Sequence, residues 1–217
     1  ANIGNHSSFF SNYFFKIIAY EPNHKSYELL KINTKYKKNI ENYNLALSDK
    51  EKTVNFFENK DNYGASKLVS KNNDLYNKNV IEIQTNFLDN EILSKNIKNI
   101  KYIKIDTEDH DINVIKGSKI FLKNHSPFIS IELKQYDYSK KYENFEIILI
   151  LKKLGYKYFY NILKYKKQNQ YKLFILNLIN FLLNYRNDES YYVEIINNFL
   201  PRDYEFLIAS KDKIIWN

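Results

Sequence analysis

The sequence predicts an α/β fold with a doubly wound, mostly parallel sheet. Runs of alternating or continuous apolar residues, which are typical of strands, alternate with segments whose apolar residues recur at helical spacing. Three predicted strands end in an acid, namely Glu21, Asp106 and Glu132. Ligands of open α/β sheets bind beyond the carboxyl ends of the strands, so these acids are candidates for a binding site. One feature departs from the expected order, because the chain begins with a helix rather than a strand.

The composition fits a folded protein of one domain. The chain has 217 residues, of which 44% are hydrophobic and 27% are charged. These values are typical of a globular chain that buries a sizeable core. We therefore expect a single domain over residues 1–217, with residues 164–201 as a helical insertion or an elaboration on the acceptor side. No run of about 18 apolar residues is present, so no transmembrane segment is predicted.

The chain contains no cysteine, which excludes disulfides, thiolate metal sites and catalysis by a thiol. This composition fits a reducing compartment, and we expect a cytoplasmic protein. The four histidines show no ligand spacing such as H-x-x-x-H, so no metal is predicted.

The net charge of +8 raises the question of an anionic partner. A basic balance is typical of proteins that bind nucleic acid or an anionic surface. Here the lysines are scattered rather than gathered in one block, and Lys, Asn, Ile and Tyr are abundant throughout. Because this pattern indicates a bias of the coding genome, we expect no nucleic acid partner.

The first elements are predicted to be a helix, a strand and a second helix. Residues 1–11 form a turn into a helix that Asn5 or Ser7 caps. A short strand follows and ends at Glu21, since proline cannot continue the ladder. Asn23 is then predicted to cap a helix that extends to about residue 36. An acid at such a strand end can accept both ribose hydroxyls of a nucleotide, and the alternative is a solvated glutamate.

The remaining elements follow from the same patterns. Strands are predicted at residues 42–49, 53–57, 80–85, 101–106, 127–133, 156–163 and 205–210. Helices are predicted at 89–97, 111–116 and 142–154, and a second short helix after 111–116 reaches Lys123. The apolar segment at 174–183 has helical spacing and fits a core helix or a substrate lid, with docking on a membrane surface as the alternative. Asp106 and the acids after it either form a site or cap the helix that begins at Asp111.

Five segments together resemble the FkbM-type family of S-adenosylmethionine-dependent methyltransferases. The similarity is good over residues 1–132 and loose beyond. In the order of the family, the segments are Ala1-Asn2-Ile3-Gly4-Asn5-His6-Ser7, Ala19-Tyr20-Glu21-Pro22-Asn23, Ala46-Leu47-Ser48-Asp49, Asn62-Tyr63-Gly64-Ala65-Ser66 and Lys104-Ile105-Asp106-Thr107-Glu108-Asp109-His110-Asp111. The last corresponds to the K-x-D-x-E-G-x-E hallmark of the family. The resemblance implies a Rossmann-like sheet of the class I methyltransferases.

The sequence departs from the family pattern at two places, and each departure leads to a further prediction. Asp109 stands where the family has glycine, so the turn is expected to need a conformation that glycine takes more readily. The Asp-x-Gly that precedes the alanine in the family is absent before Ala1. We therefore expect the chain to be truncated within the first cofactor motif and to lack the first strand of the sheet.

The resemblance implies that S-adenosyl-L-methionine is the cofactor. Asn2, Gly4 and Asn5 would lie against its amino-acid end. Glu21 would hold the ribose diol through charge-assisted hydrogen bonds, with Asn23 beside it. The adenine would be bordered by Ala46, Leu47 and Ser48.

The implied reaction is methyl transfer to a hydroxyl of a sugar, a glycan or another small molecule. Such a transfer needs an aligned acceptor and a base for its proton. Asp106 or Glu108 would be the base, with His110 and Glu132 as second choices. A divalent ion among the three carboxylates Asp106, Glu108 and Glu132 remains an alternative.

Two other classes of function remain open. One is a non-catalytic module with a methyltransferase-like fold and a decayed cofactor site, for which Asp109 is an argument. The other is a basic, tyrosine-rich domain that binds nucleic acid by stacking and charge. A dinucleotide-binding dehydrogenase is less well supported, since the chain has no G-x-G-x-x-G motif.

Overall fold

The computed structural model describes residues 1–69, 79–133, 146–164, 191–197, 199–200 and 202–215. The helices of this part are α1 (Asn5–Phe10), α2 (His24–Thr34), α3 (Leu88–Ser94), α4 (Asp111–Lys116), α5 (Lys119–Asn124) and α6 (Glu146–Lys153). Its strands are β1 (Ile17–Tyr20), β2 (Ile40–Tyr43), β3 (Ala46–Leu47), β4 (Lys52–Phe57), β5 (Lys67–Val69), β6 (Val80–Asn86), β7 (Tyr102–Lys104), β8 (Phe128–Leu133), β9 (Tyr158–Lys164), β10 (Tyr191–Ile195) and β11 (Tyr204–Ser210).

The described strands form three sheets, with orders β1-β2, β3-β6-β4-β5 and β10-β9-β11-β8-β7. The pairs β1–β2, β3–β6 and β7–β8 are parallel, and the other pairs are antiparallel. The predicted α/β class is therefore confirmed, but a doubly wound, mostly parallel sheet is not, because the sheets are mixed. Strands joined without a crossover helix, such as β4 and β5, pair antiparallel.

The chain divides into two compact units, of which the first comprises Ala1–Lys98 and Asp106–Phe121. It contains the two smaller sheets. Its buried apolar residues are Ala19, Leu30, Ala46, Phe56, Leu88, Val114, Ile115 and Phe121. Buried Glu91 of α3 links several elements of this unit, because its carboxylate accepts from Tyr20 Oη at 2.9 Å, from Asn86 Nδ2 at 2.7 Å and from Lys95 Nζ.

Both N-terminal helices of the first unit form, but they begin differently from each other. Asn23 caps α2 as predicted, since its Oδ1 accepts from the backbone amide of Ser26 at 3.0 Å. The prediction that Asn5 or Ser7 caps α1 is wrong. The N-cap is Gly4, with φ of 92° and no side-chain capping bond.

The strand predicted at residues 42–49 is two strands in different sheets. β2 pairs with β1, whereas β3 pairs with β6. Asn44 lies at the break, where its Nδ2 donates to the carbonyl oxygens of Glu21 at 2.8 Å and of Pro22 at 3.0 Å. These bonds hold the break against the end of β1, and the alternation of polar and apolar residues over 42–45 does not reveal it.

The second unit comprises Asn99–Ile105 and Leu122–Asn217, and its described strands form the five-stranded sheet. Its core includes Leu122, Ile129, Ile131, Leu151, Tyr156, Tyr160, Tyr204 and Leu207, each 2% exposed or less. Helix α6 is amphipathic and buries Ile147, Ile148 and Leu151. Gly155 lies just after α6 with φ of 95°, in the left-handed region that glycine commonly adopts at the end of a helix.

Two strands, β5 and β10, lie outside the predicted set. The helix predicted at residues 174–183 lies outside the described residues, as does most of the segment 164–201.

Candidate functional site

Residues 2–4 form a tight loop against α2, which we call the glycine loop. Asn2 and Gly4 have φ of 51° and 92°, in the left-handed region that glycine adopts at no steric cost. A Cβ on Gly4 would lie 2.6 Å from Leu30 Cδ1 and 3.3 Å from Thr34 Cγ2. Glycine is therefore required here both for its conformation and for the close approach of α2. Asn5 follows as the exposed first residue of α1.

The carboxylate of Glu21 meets this loop at the end of β1. Its Oε2 accepts from the backbone amide of Asn2 at 2.6 Å, and the nitrogen of Ala1 lies 3.0 Å away. Its Oε1 accepts from the backbone amide of Asn23 at 2.9 Å. Glu21 is buried. The structure thus joins three predicted cofactor-binding residues, Asn2, Glu21 and Asn23, through direct hydrogen bonds.

A second buried acid, Glu58, lies on the other side of Asn23. Its Oε1 accepts from Asn23 Nδ2 and its Oε2 from Lys25 Nζ, both at 3.2 Å. Sequence reasoning missed this residue. The sequence signal for Glu58 was its position directly after a strand, which ends at Phe57. That strand belongs to a hairpin rather than to a predicted parallel pair.

The loop at residues 62–66 also lies at the glycine loop. A Cβ on Gly64 would be 3.2 Å from Asn2 Nδ2 and from Asn62 Oδ1. Ser66 Oγ accepts from the backbone amide of Asn59 at 3.0 Å and so closes the loop on itself. The fourth segment of the family resemblance is therefore placed next to the first.

Ala46, Leu47 and Ser48 form β3 and its exit. Ala46 and Ser48 are buried, and Leu47 is half-buried. The amide of Ser48 donates to the Asn86 carbonyl at 2.8 Å and so continues the pairing of β3 with β6. A Cβ on Gly117 would lie 2.0 Å from the Ser48 carbonyl oxygen, so the end of α4 packs directly on this backbone.

The acidic turn, which we define as residues 106–111, joins a strand of one unit to α4. Asp106 is exposed at the start of the turn. Glu108 and Asp109 have φ of 48° and 75°, so both adopt the left-handed conformation. The expectation that Asp109 occupies a position suited to glycine is confirmed. Asp111 Oδ1 stabilises the turn by accepting from the amide of Thr107 at 2.9 Å and from its Oγ1 at 2.6 Å.

His110 ties the acidic turn to β3. Asn113 Nδ2 lies 2.9 Å from Nδ1, which must accept because an amide nitrogen only donates. The ring proton therefore lies on Nε2, which donates to Ser48 Oγ at 2.9 Å, and Ser48 in turn donates to Asp49 Oδ1 at 3.1 Å. Burial lowers the pKa of His110 to about 4, although nearby Asp49 opposes this shift. The imidazole is thus neutral at physiological pH.

A second contact joins the acidic turn to the strand after the 62–66 loop. Lys67 Nζ lies 3.0 Å from Asp109 Oδ2, with side chains that are 32% and 38% exposed. Glu132 belongs to the second unit, where it is half-buried on β8. Asp106, Glu108 and His110 belong to the first unit together with all the predicted cofactor-binding residues.

The described residues contain no group of three or more His, Cys, Asp or Glu side chains that could hold a metal ion. No helix in the same part of the chain is long and apolar enough to cross a membrane.

Comparison with known proteins agrees with the motifs. The crystal structure of methyltransferase FkbM from Methylobacillus flagellatus KT is similar with a TM-score of 0.45 and 14% sequence identity. That similarity covers 97% of this chain and 41% of the other, so the chain spans less than half of that protein. No curated protein matches the sequence. The family model for the methyltransferase FkbM domain matches residues 1–158, which is most of the chain, and the chain therefore belongs to the FkbM methyltransferase family.

Proposed function

We propose that the protein is a methyltransferase that uses S-adenosyl-L-methionine to methylate a hydroxyl of a sugar, a glycan or another small molecule. The observation that carries this proposal is the meeting of the glycine loop with the buried carboxylate of Glu21, through the amide of Asn2 at 2.6 Å. A carboxylate at a strand end beside a glycine loop has the chemistry to bind a nucleoside diol. The family to which the chain belongs supports the same reaction class.

The residues around Glu21 suit the cofactor. Glu21 would accept from the two ribose hydroxyls, while Asn2, Gly4 and Asn5 border the amino-acid end. Asn23 orients Glu21 through its amide, at 2.9 Å from Oε1. The adenine would lie against Ala46 and Leu47, with Ser48 supporting them from the buried side.

The cofactor supplies a methyl group on a positively charged sulfur. When bound beside Glu21, the cofactor would supply this methyl group to the acceptor oxygen, and the electron pair of the broken carbon–sulfur bond would stay with the sulfur. The hydroxyl proton needs a base, and Asp106 or Glu108 is our choice. Asp106 is exposed at the end of a strand, and Glu108 lies in the turn that Asp111 stabilises.

His110 and Glu132 remain second choices for the base, for different reasons. Both ring nitrogens of His110 are within hydrogen-bond distance of protein atoms, at 2.9 Å each. Its lowered pKa of about 4 removes the advantage in basicity that an ordinary imidazole has over a carboxylate. Glu132 lies in the second unit, on β8.

Calorimetric titration with S-adenosylhomocysteine tests the cofactor site. We expect binding by the wild-type protein and a loss of about 1.5–3 kcal/mol in Glu21→Gln, since a hydrogen-bonded charge is removed without a change of shape. Glu41→Gln is the matched control, because Glu41 lies on the neighbouring strand β2 with its side chain 47% exposed. Equal binding by Glu21→Gln and the wild type, or no binding by either, would contradict the proposal.

A further inference from the structure

Asp109 is an acidic residue in a left-handed backbone conformation that glycine adopts more readily. Asp109 has φ of 75° and directly follows Glu108, which has φ of 48°. A left-handed conformation disfavours side chains other than glycine, although aspartate tolerates it better than most residues. The carboxylate of Asp109 compensates through its ion pair with Lys67, at 3.0 Å. The side chain thus has a contact that glycine could not make.

The partner of Asp109 comes from the part of the first unit that borders the proposed cofactor site. Lys67 is the first residue of β5 and directly follows the loop at 62–66. Gly64 of that loop approaches Asn2, with 3.2 Å between the Asn2 Nδ2 atom and the position of a Cβ on Gly64. Asn2 in turn donates to Glu21 at 2.6 Å. The 62–66 loop therefore lies between the segment that meets Glu21 and the lysine that pairs with the acidic turn.

We propose that the ion pair between Lys67 and Asp109 positions the acidic turn against the 62–66 loop, so that binding of the cofactor depends on the pair. This inference rests on the proposed function. The two residues are positioning residues, because they act on the cofactor site through the 62–66 loop, which lies beside Asn2, rather than by contact. When the pair is intact, the turn that carries Glu108 and the loop beside Asn2 are held in one arrangement.

The acidic turn is held at two places, and this makes the role of the ion pair testable. Ser48 and His110 fix the end of the turn at α4, through a bond of 2.9 Å. Asp109 fixes its middle, next to Glu108. Removal of the ion pair should therefore leave α4 in place and loosen only the residues around Glu108.

The test measures S-adenosylhomocysteine binding by calorimetry at low salt in Lys67→Gln, Asp109→Asn and the double variant. We expect each single variant to bind about twofold to fivefold more weakly, as for a partly exposed ion pair, and the double variant to bind no more weakly than either. Lys67→Arg should restore binding, because it keeps the charge. Added salt should weaken the wild type towards the level of the variants.

Two further variants separate positioning from a general loss of structure. Asp109→Gly removes the pair but suits φ of 75°, so its melting temperature should not fall while its binding does. Lys50→Gln removes the same charge from an exposed lysine of the same unit and should bind like the wild type.

The outcomes distinguish this inference from the proposed function. If the wild type binds and the single variants bind equally well, or if their effects add in the double variant, the positioning role is wrong and the cofactor site stands. If the wild type does not bind, both proposals fail. Coupled losses with rescue by Lys67→Arg support the inference.

Discussion

Burial keeps the imidazole of His110 neutral, and a chain of hydrogen bonds through Ser48 to Asp49 fixes its tautomer. The charged groups that act on the ring are Asp49, which raises its pKa, and Lys52, which lowers it, while burial dominates. A histidine in this state does not exchange protons easily near neutral pH. Its contribution is to connect the acidic turn to β3, and this contribution depends on pH.

We predict that acid weakens the fold through His110. Its pKa is about 4 in the folded protein and about 6.5 when unfolded, so the unfolded chain takes up the proton first as the pH falls. The free energy of unfolding should therefore decrease by about 2 kcal/mol more in the wild type than in His110→Gln between about pH 7.5 and about pH 5. Urea denaturation at the two pH values measures this. Parallel pH profiles would show that His110 is not buried as described.

A single atom at Gly117 should have a large effect on stability. Its Cβ would lie 2.0 Å from the Ser48 carbonyl oxygen and 2.9 Å from Phe87 Cβ, and a backbone atom cannot move aside easily. We predict that Gly117→Ala lowers the free energy of unfolding by about 2–4 kcal/mol. Gly64→Ala is the control, because the nearest atoms there are ends of side chains at 3.2 Å. Thermal denaturation of both variants measures the two losses of stability. Equal losses in Gly117→Ala and Gly64→Ala would contradict the prediction.

At the scale of elements, helix α2 depends on one side chain at its start. Asn23 accepts from Ser26 through Oδ1 and donates to Glu58 through Nδ2. We predict that Asn23→Ala costs about 1–2 kcal/mol of stability, whereas Asn23→Ser keeps the cap and costs less. Lys31→Ala, on the exposed side of α2, should change stability by less than about 0.5 kcal/mol. Denaturation that ranks the serine variant with the alanine variant would place the effect at Glu58 instead.

Local patterns predicted elements better than they predicted pairing. Glu21 at a strand end, Asn23 as a helix cap and α4 at residues 111–116 all followed from short-range rules, and the structure has them. The antiparallel hairpins and the split between β2 and β3 did not follow, because they depend on which strands meet. Pairing is a long-range property that apolar periodicity does not contain.

The same distinction applies to the candidate site. The motifs predicted which segments carry the polar residues, and the confirmed family explains why the segments come in that order. The contacts of Glu58 with Asn23, and of Lys67 with Asp109, join residues that are 35 and 42 positions apart. The position of Glu58 after a strand marks it as an acid at a strand end, but nothing in the local sequence shows which residue it or Asp109 contacts, so only coordinates could reveal these two contacts.

For the whole molecule, the division into two units allows us to predict which unit binds the cofactor. The residues proposed to hold the cofactor all lie in the first unit, over Ala1–Lys98 and Asp106–Phe121. Saturating S-adenosylhomocysteine, at about 100 times its dissociation constant, should stabilise the folded state by about 2.7 kcal/mol. Hydrogen exchange followed by mass spectrometry should show slower exchange at residues 1–5 and 21–23. Protection confined to Asn99–Ile105 and Leu122–Asn217 would move the site to the second unit.

The hydrogen bonds of the Glu21 carboxylate also bear on which nucleosides the proposed site would exclude. Backbone amides from Asn2 and Asn23 hold one oxygen each, so the carboxylate cannot rotate away from an unsuitable ligand. A phosphate on the ribose would bring like charges together in a buried setting, which is costly. A deoxyribose would lack one of the two hydroxyl donors that the proposed site binds. If Glu21 holds the ribose diol as proposed, we expect the site to bind an unmodified diol and to exclude nucleotides that carry a phosphate at that position.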